Sequence, residues 1–465
     1  MRLVLAIWNW LDDRLGFSKA IYPVIAHPVP RGVNWWYVLG SATLVAFIFQ
    51  IVTGVALAFT YVPSPNSAYE SLRFISNEAI LGNVVRGIHY WGSSAMVILI
   101  ALHLTRTFLM GSYKYPRELN WLTGVLLFGL TLGMAFTGQL LRWDQDAFWG
   151  VVVGAAQAAQ APVIGGILSQ VVLAGQTVGG ATLTRFYATH VFLFPALMFG
   201  LIAVHLYLVV RHGISEPPQA GKPVVRATYR QEYDELLHRD GIPFWPYAAW
   251  RDVVFAMLVG AVVTALAIVV GAPHLGKPAD PTILEAYPRP DWYFLWLFAL
   301  LALIPPGVER WFILGFPLVV LVALLAPPLV APAGERSPRR RPWAVAGVVI
   351  PAVSIIALIH IGNAAPWSPV TPPPPLPVTV TQGLQGGRAQ GAQLFQDLAC
   401  HGCHTVAGTG GKSGPDLTTV GNRLTREQLT TRILTGGNNM PAYGASVRPE
   451  DMSALIDFLS QLKGS

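Results

Sequence analysis

Four histidines sit in two long apolar runs: His89 and His103 in one, His190 and His205 in the other. Their separations are 14 and 15 residues. At about 1.5 Å per helical residue, each pair is about 21–22 Å apart along its helix. Fourteen residues is close to four whole turns, so both imidazoles of a pair face nearly the same way. Two such helices side by side offer two stacked bis-histidine sites, and haem iron accepts that axial ligation. A lone intramembrane histidine reads as well as a hydrogen-bonded bundle residue. Two matched pairs point instead to a path for electrons through a bilayer.

A second cluster lies near the end of the chain. Cys400-His401-Gly402-Cys403-His404 is a CxxCH motif, and it holds the only two cysteines. Its spacing lets two thioether bonds hold a porphyrin while His404 ligates the iron. The alternative is a free redox CxxC beside an incidental histidine. The surrounding sequence favours the haem. A helical pattern, AQLFQDLAC, leads into the motif, and Gly414-Pro415-Asp416-Leu417 reads as a turn against the pocket. Thr425-x-x-Gln428 is a capping-box start, and 449–462 reads as a closing amphipathic helix. Asn438-Asn439-Met440-Pro441 presents Met440 in a loop as the sixth ligand, and His/Met ligation raises haem potential. Met452 lies inside a helical pattern, where core packing is the better reading. The segment resembles a small class I cytochrome c.

These residues must be positioned by membrane helices. The chain has 465 residues, 53% hydrophobic and only 12% charged. Seven stretches fit spanning helices: about 35–61, 84–110, 121–141, 186–210, 252–271, 311–329 and 343–361. The run 292–304 is too short to cross and ends at Pro305-Pro306, so a surface or partly inserted helix is expected. With seven spans, the N-terminal segment and the loops after spans two, four and six hold 16 Lys and Arg. The opposite loops and span ends hold seven. The positive-inside rule puts the first set in the cytoplasm and the last domain outside. The net charge of +7 is therefore mostly topology, and no nucleic-acid motif appears.

The expected architecture is all-α: a polytopic bundle plus a small helical domain. Residues 1–33 form an amphipathic interfacial segment carrying Trp8, Leu11 and Leu15, and nothing there reads as a cleaved signal peptide. Residues 34–212 form a di-haem four-helix domain and 213–363 a three-helix domain. A proline-rich spacer, 364–387, leads to the cytochrome c-like domain, 388–465.

Glycines and arginines add to this frame. Gly40 and Gly54 in span one are 14 apart, as are Gly124 and Gly138 in span three. Glycine lets a flat macrocycle approach the backbone, although small residues also serve helix packing. Arg86 lies three residues before His89, and Arg106 three after His103. Each could meet haem propionates near a membrane surface, or simply snorkel.

The chain closely resembles cytochrome b of quinol-oxidising bc and bf complexes. The motifs are RGIHYWG around His89, HLTRTF from His103, GQLLRWDQDAFWG at 138–150 and APVIGG at 161–166. TLTRFYATH ending at His190, GIPFWPY at 241–247 and Pro290-Asp291-Trp292-Tyr293 complete the set. The 15-residue gap and three-helix second half look like the chloroplast and related bacterial type, with halves that are separate chains there fused here. The resemblance implies that His89 and His190 bind the outer haem b, and His103 and His205 the cytoplasmic one. It implies that Pro290, Asp291, Trp292 and Tyr293 build an outer quinol site, with Asp291 accepting a proton. Arg211, Arg251 and Asp252 lie at the cytoplasmic end, where the family reduces quinone; His212 is a weaker candidate there. Leu141-Arg142-Trp143 stands where the family usually has Leu-Pro-Trp, and Gln139 where tyrosine is frequent. Val38 occupies the place of a haem-attaching cysteine, so a covalent third membrane haem is not expected.

A Rieske cluster needs two cysteines and two histidines, and both cysteines here are committed to haem. The iron–sulfur protein is therefore expected as a separate subunit. The expected function is bifurcated quinol oxidation. One electron goes to the Rieske protein and then haem c. The other passes through the two b haems to quinone reduction, with proton translocation. A soluble or membrane-bound cytochrome or a terminal oxidase would accept from haem c. The resemblance also implies a homodimeric complex in a bacterial cytoplasmic membrane. One competitor is a di-haem anchor linking a dehydrogenase to the quinone pool, which has no need of the 290–293 motif. Another is a transporter or scaffold that merely carries haem c, which four matched histidines disfavour.

Overall fold

The computed structural model describes every residue except 1, 176–177, 281–287, 365–374, 399, 412–413, 437–439, 441–442, 445–446 and 465. Residues 365–374 of the proline-rich spacer, and Asn438, Asn439 and Pro441, lie outside the described residues. The fold is all-α. Its only strands among the described residues are short pairs, such as Pro28–Pro30 against Gly241–Pro243.

Seven helices among the described residues are long and apolar enough to cross a membrane. They are Leu39–Ala58, Gly82–Leu109, Glu118–Leu140, Gly180–His212, Phe244–Val269, Gly307–Leu325 and Pro342–Ala364, spans one to seven below. Spans one and two pack side by side, span five lies against both, and span four packs on span three. The apolar run after Trp292 is a separate 12-residue helix, Trp292–Leu303, ended by Pro305 and Pro306. It packs on span seven, where Gly362 makes room for Leu295. At about 1.5 Å per residue, 12 residues fall well short of a 30 Å hydrocarbon core.

The loops sort by end. Those after spans two, four and six meet: Arg117 Nε donates to the Gly213 carbonyl at 2.9 Å, and Arg336 pairs with Glu216 at 2.6 Å. Lys114 donates to the Ala331 carbonyl at 2.7 Å, and Arg341 to those of Phe108 and Leu109. Loops after spans one, three and five meet at the opposite end. There Tyr69 donates to the Gly276 carbonyl at 2.9 Å and Gln145 N–H to that of Lys277 at 2.9 Å. Two helices after span three, Gln145–Ala159 and Gly165–Leu173, pack together and cover that end. Asp144 caps the first, its Oδ1 accepting from Ala147 N–H at 3.0 Å.

The N-terminal segment is two helices, Arg2–Leu15 and Phe17–Ile25, joined at Gly16, whose φ of 65° favours glycine. No residue of the first is buried, and Leu3, Ile7, Trp8 and Trp10 are exposed on it.

The last region is a small non-membrane helical unit. Helices Gly387–Asp397, Arg426–Thr435 and Pro449–Gln461 enclose a core that includes Phe395, Leu429, Leu455 and Phe458. The first and last cross closely at Gly391, where a Cβ would lie only 2.8 Å from Phe458 Cβ. Thr425 and Gln428 form the capping box expected from the sequence.

Candidate haem and quinone sites

Spans two and four bring the four histidines together as two pairs. The His89 and His190 rings lie 6.3 Å apart, centre to centre, at 74°. Two metal–nitrogen bonds of about 2 Å plus the half-widths of two rings span about that distance. His103 and His205 form the second pair, within electrostatic reach of each other at the other end.

Each histidine ring faces one of the four glycines. A Cβ at Gly54 would lie 3.2 Å from His89 Cε1, at Gly138 2.7 Å from His190, at Gly40 3.1 Å from His103, and at Gly124 3.6 Å from His205. The glycines therefore clear the ring planes. Three histidines are oriented by hydroxyls that sequence reasoning missed. Thr53 Oγ1 is 2.9 Å from His89 Nδ1, Thr123 Oγ1 is 2.9 Å from His205 Nδ1, and Thr137 Oγ1 is 3.1 Å from His190 Nδ1. Engaging Nδ1 turns Nε2 toward the space between the helices. The signal was present: three of the four glycines follow a threonine, in Thr53-Gly54, Thr123-Gly124 and Thr137-Gly138. In each pair the threonine hydroxyl aims one ring and the bare glycine accommodates it.

A cavity of about 340 Å³ runs from the His89–His190 pair to the loops after spans three and five. Gly54, Gly138, Arg86, Tyr90, Gln139, Arg142, Asp291 and Tyr293 line it. Tyr293 hydroxyl donates to Asp291 Oδ2 at 2.8 Å. Burial pushes the Asp291 carboxyl above the usual carboxylate range, while the Tyr293 hydrogen bond and Arg142 oppose that rise. Burial and the neighbouring carboxylate raise the Tyr293 phenol as well. Trp292 Nε1 reaches Ser94 Oγ of span two at 3.3 Å, pinning this motif beside the cavity. Pro290 is partly buried immediately before it.

Arg86 does not snorkel to solvent. Its guanidinium is buried, donating to the Pro273 carbonyl at 2.7 Å and Ser76 Oγ at 3.1 Å. Arg106 is equally buried, stacked 3.7 Å from the Tyr37 ring centre. Its Nε has no hydrogen-bond partner among the described residues, an orphaned donor that an anionic group would satisfy. Asp252 of span five accepts from Ser41 Oγ, beside Gly40 and so near the His103 ring. Arg251 lies over the Trp250 ring at 4.7 Å. Arg211 ends span four exposed and makes no hydrogen bond or ion pair with Asp252 among the described residues. The structure thus gathers Asp291 and Tyr293 into one cavity with His89 and His190, whereas Arg211 and Asp252 share no such bond among the described residues.

In the C-terminal unit, Cys400 and Cys403 form no disulfide and His404 is buried. His404 Nδ1 lies 2.8 Å from the Pro415 carbonyl, which leaves Nε2 as the ligating nitrogen. A Cβ on Gly414 would lie 2.6 Å from His404 Cε1, so the Gly414-Pro415 turn abuts this ring closely. Burial pushes the Cys400 thiol up to about 12, opposite to the depressed value of a reactive CxxC. Met440 packs against the same core as Cys400, whereas Met452 is buried inside the closing helix.

Comparison with known proteins finds relatives of both parts of the chain. Residues 24–213 match the family model described as Cytochrome b/b6/petB. Residues 278–372 match Cytochrome b(C-terminal)/b6/petD. Over 211 residues the chain is 42% identical to a cytochrome b6 of Heliobacterium modesticaldum, covering 99% of that protein and 45% of this chain. The chain belongs to the cytochrome b/b6 family. It is also 41% identical over 220 residues to the menaquinol:cytochrome c reductase cytochrome b subunit of Bacillus subtilis, covering 98% of that subunit and 45% of this chain. A solved chain of a hyperthermophilic respiratory Complex III superposes with a TM-score of 0.67 at 29% identity, over 78% of this chain and 92% of that one. Residues 387–459 match the model described as Cytochrome C oxidase, cbb3-type, subunit III. The chain is therefore a cytochrome b/b6-like membrane domain fused to a C-terminal domain with a CxxCH motif.

Proposed function

We propose that this chain is the cytochrome b and c subunit of a quinol-oxidising bc-type complex. The observation that carries the reading is the single cavity joining His89 and His190 to Asp291 and Tyr293. A di-haem anchor has no use for a carboxylate and phenol beside its outer site. His89 with His190, and His103 with His205, would each hold a haem b, with Gly40, Gly54, Gly124 and Gly138 leaving room for the rings. Arg86 and Arg106 would face propionates. Cys400, Cys403 and His404 would hold haem c, with Met440 as sixth ligand. Bound there, these groups supply one-electron carriage through and above the bilayer.

The chain's own residues do the rest. Quinol enters the outer cavity, where Tyr293 holds the Asp291 carboxylate and Asp291 takes a hydroxyl proton. Trp292, anchored on Ser94, and Pro290 keep that pair in place. One electron leaves to a separate Rieske protein and then to the C-terminal domain. The other crosses to the cytoplasmic end, where Asp252, Arg251 and Arg211 serve quinone reduction and proton uptake. Tethering the C-terminal domain raises its effective concentration for the Rieske protein. In this reading the N-terminus is cytoplasmic, the C-terminal domain faces outside, and the complex is a homodimer passing electrons to a cytochrome or terminal oxidase. The halves correspond to a chloroplast-type first half and a subunit IV-like second half. The domain boundaries are 1–33, 34–212, 213–363, 364–387 and 388–465, and the last domain is of class I type.

A redox-titrated visible spectrum of the purified complex tests this directly. Two b-type components per c-type component are expected, with quinol oxidation blocked by outer-site inhibitors. Inhibitor-insensitive turnover would favour the anchor instead.

A further inference from the structure

Arg142, at the position where the resemblance leads one to expect proline, lines the cavity that also holds Asp291. Its Nε and Nη2 donate to Asp144 Oδ2 at 2.9 and 2.5 Å, and Nη2 is 3.5 Å from Asp146. The Asp144 side chain is fully buried and is not among the residues that line the cavity. Its Oδ1 accepts from Ala147 N–H at 3.0 Å and its Oδ2 from Gly276 N–H at 3.2 Å. Asp146 is half exposed, where water screens it. Arg142 lines the cavity, neither Asp144 nor Asp146 is among its lining residues, and Asp291 lies within electrostatic reach of Arg142.

We propose that Arg142 is a positioning residue for quinol oxidation: its fixed charge favours the ionised Asp291 carboxylate, the form that can take the quinol hydroxyl proton. The inference rests on the reading of Asp291 as proton acceptor. In an apolar cavity an ionised carboxylate is costly, and a cation on the facing wall offsets that cost. Other groups facing Asp291 are Tyr293 on its own helix, Tyr90 and Arg86 of span two, and Asp144 behind Arg142. His89 and His190 lie deeper in the same cavity, and Arg289 is exposed two residues earlier. Arg86 is also a cation there, but its guanidinium is committed to Ser76 and the Pro273 carbonyl, whereas Arg142 reaches Asp291 electrostatically. If it merely neutralised Asp144, removing both together would leave Asp291 untouched.

The test uses the complete complex carrying Arg142→Gln, Arg142→Lys, the double change Arg142→Gln with Asp144→Asn, or Asp291→Asn. Two readouts are followed against pH: the quinol oxidation rate, and the infrared carboxyl band that Asp291→Asn removes, taken in the resting oxidised complex. Arg142→Gln should move the acid limb of both up by about one pH unit, making oxidation about tenfold slower on the acid side with the alkaline plateau retained. Arg142→Lys should restore the limb, and the double variant, which leaves no unpaired buried carboxylate, should keep the shift. A wild-type limb and band in the double variant overturn the proposal, even if Arg142→Gln alone fails to assemble. A limb lost in Asp291→Asn but unmoved in the Arg142 variants overturns only the role of Arg142. A limb that survives Asp291→Asn overturns the proton-acceptor reading and this inference with it.

Discussion

His89, His190 and His205 each spend Nδ1 on a threonine hydroxyl, so ring orientation is set before any metal arrives. Hydrogen-bond partners of this kind fix the tautomer and tune the ligand. His103 has no threonine before its glycine; Leu39 precedes Gly40. Its place depends on the helix alone and on the clearance at Gly40, 3.1 Å from its ring. His103→Ala should therefore remove one b-type component from the redox-titrated spectrum, the one assigned to His103 and His205, and leave the other's midpoint unchanged. Retention of both components would refute the ligand assignment. The histidines, glycines and CxxCH were legible because their spacing alone marks them. The threonines were not singled out, since a hydroxyl inside a membrane helix usually bonds its own backbone. Thr53, Thr123 and Thr137 do that too, each reaching a carbonyl four residues back.

Span four carries its histidines 15 residues apart while span two carries them 14 apart, and the structure accounts for the extra residue. Residues Thr189–Leu193 form a π-helical turn, inside which His190 sits. A π-turn closes i→i+5 bonds and so holds about one more residue than an α-turn. The 15-residue gap thus equals about 14 residues of regular helix, and both rings stay on one face. In an unbroken α-helix the extra residue would swing one ring by about 100°. Deleting Val191 should let the segment revert to regular helix with a 14-residue gap and keep both haems. Inserting an alanine after Val191 should turn one ring away and halve the b haem per protein, measured by pyridine haemochrome. Equal haem content in the two variants would sink this account. Sequence showed the two gaps but not the bulge, because π-turns carry no side-chain signature. The short helix at Trp292–Leu303 was legible for the opposite reason: its length and the two prolines after it are simple arithmetic.

At the scale of the whole molecule, the loops after spans two, four and six are knotted together through charges that the sequence displayed only as a topology signal. Arg336 and Arg341 looked like loop cations, yet both are buried. Arg336 pairs with Glu216 at 2.6 Å, and Glu216 also accepts from Tyr229, which in turn accepts from Arg117. Pairings across 120 residues of chain cannot be read from composition, which is why this knot escaped sequence reasoning while the span count did not. Desolvation pushes the Glu216 carboxyl up, but Arg336, backbone N–H and Tyr229 outweigh it and hold it below the usual range. A depressed carboxyl stabilises the fold above its unfolded value, and that stabilisation is lost as pH falls through the folded value. Glu216→Ala should cost roughly 3–5 kcal/mol, because it strands a buried guanidinium. The measurable sign is a lower thermal midpoint for haem retention at neutral pH. The gap from wild type should narrow only below the ordinary carboxylate range; a gap already closed near pH 6 would refute the assignment.

Arg341 also has a temporal implication. It seals the carbonyl end of span two, at Phe108 and Leu109, three residues beyond Arg106. Translation delivers all four histidine-bearing and glycine-bearing spans by residue 212, but this plug is made only 129 residues later. In chain order, then, the loop end of span two gains these contacts only after the four histidine-bearing and glycine-bearing spans, and spans five and six, have been made.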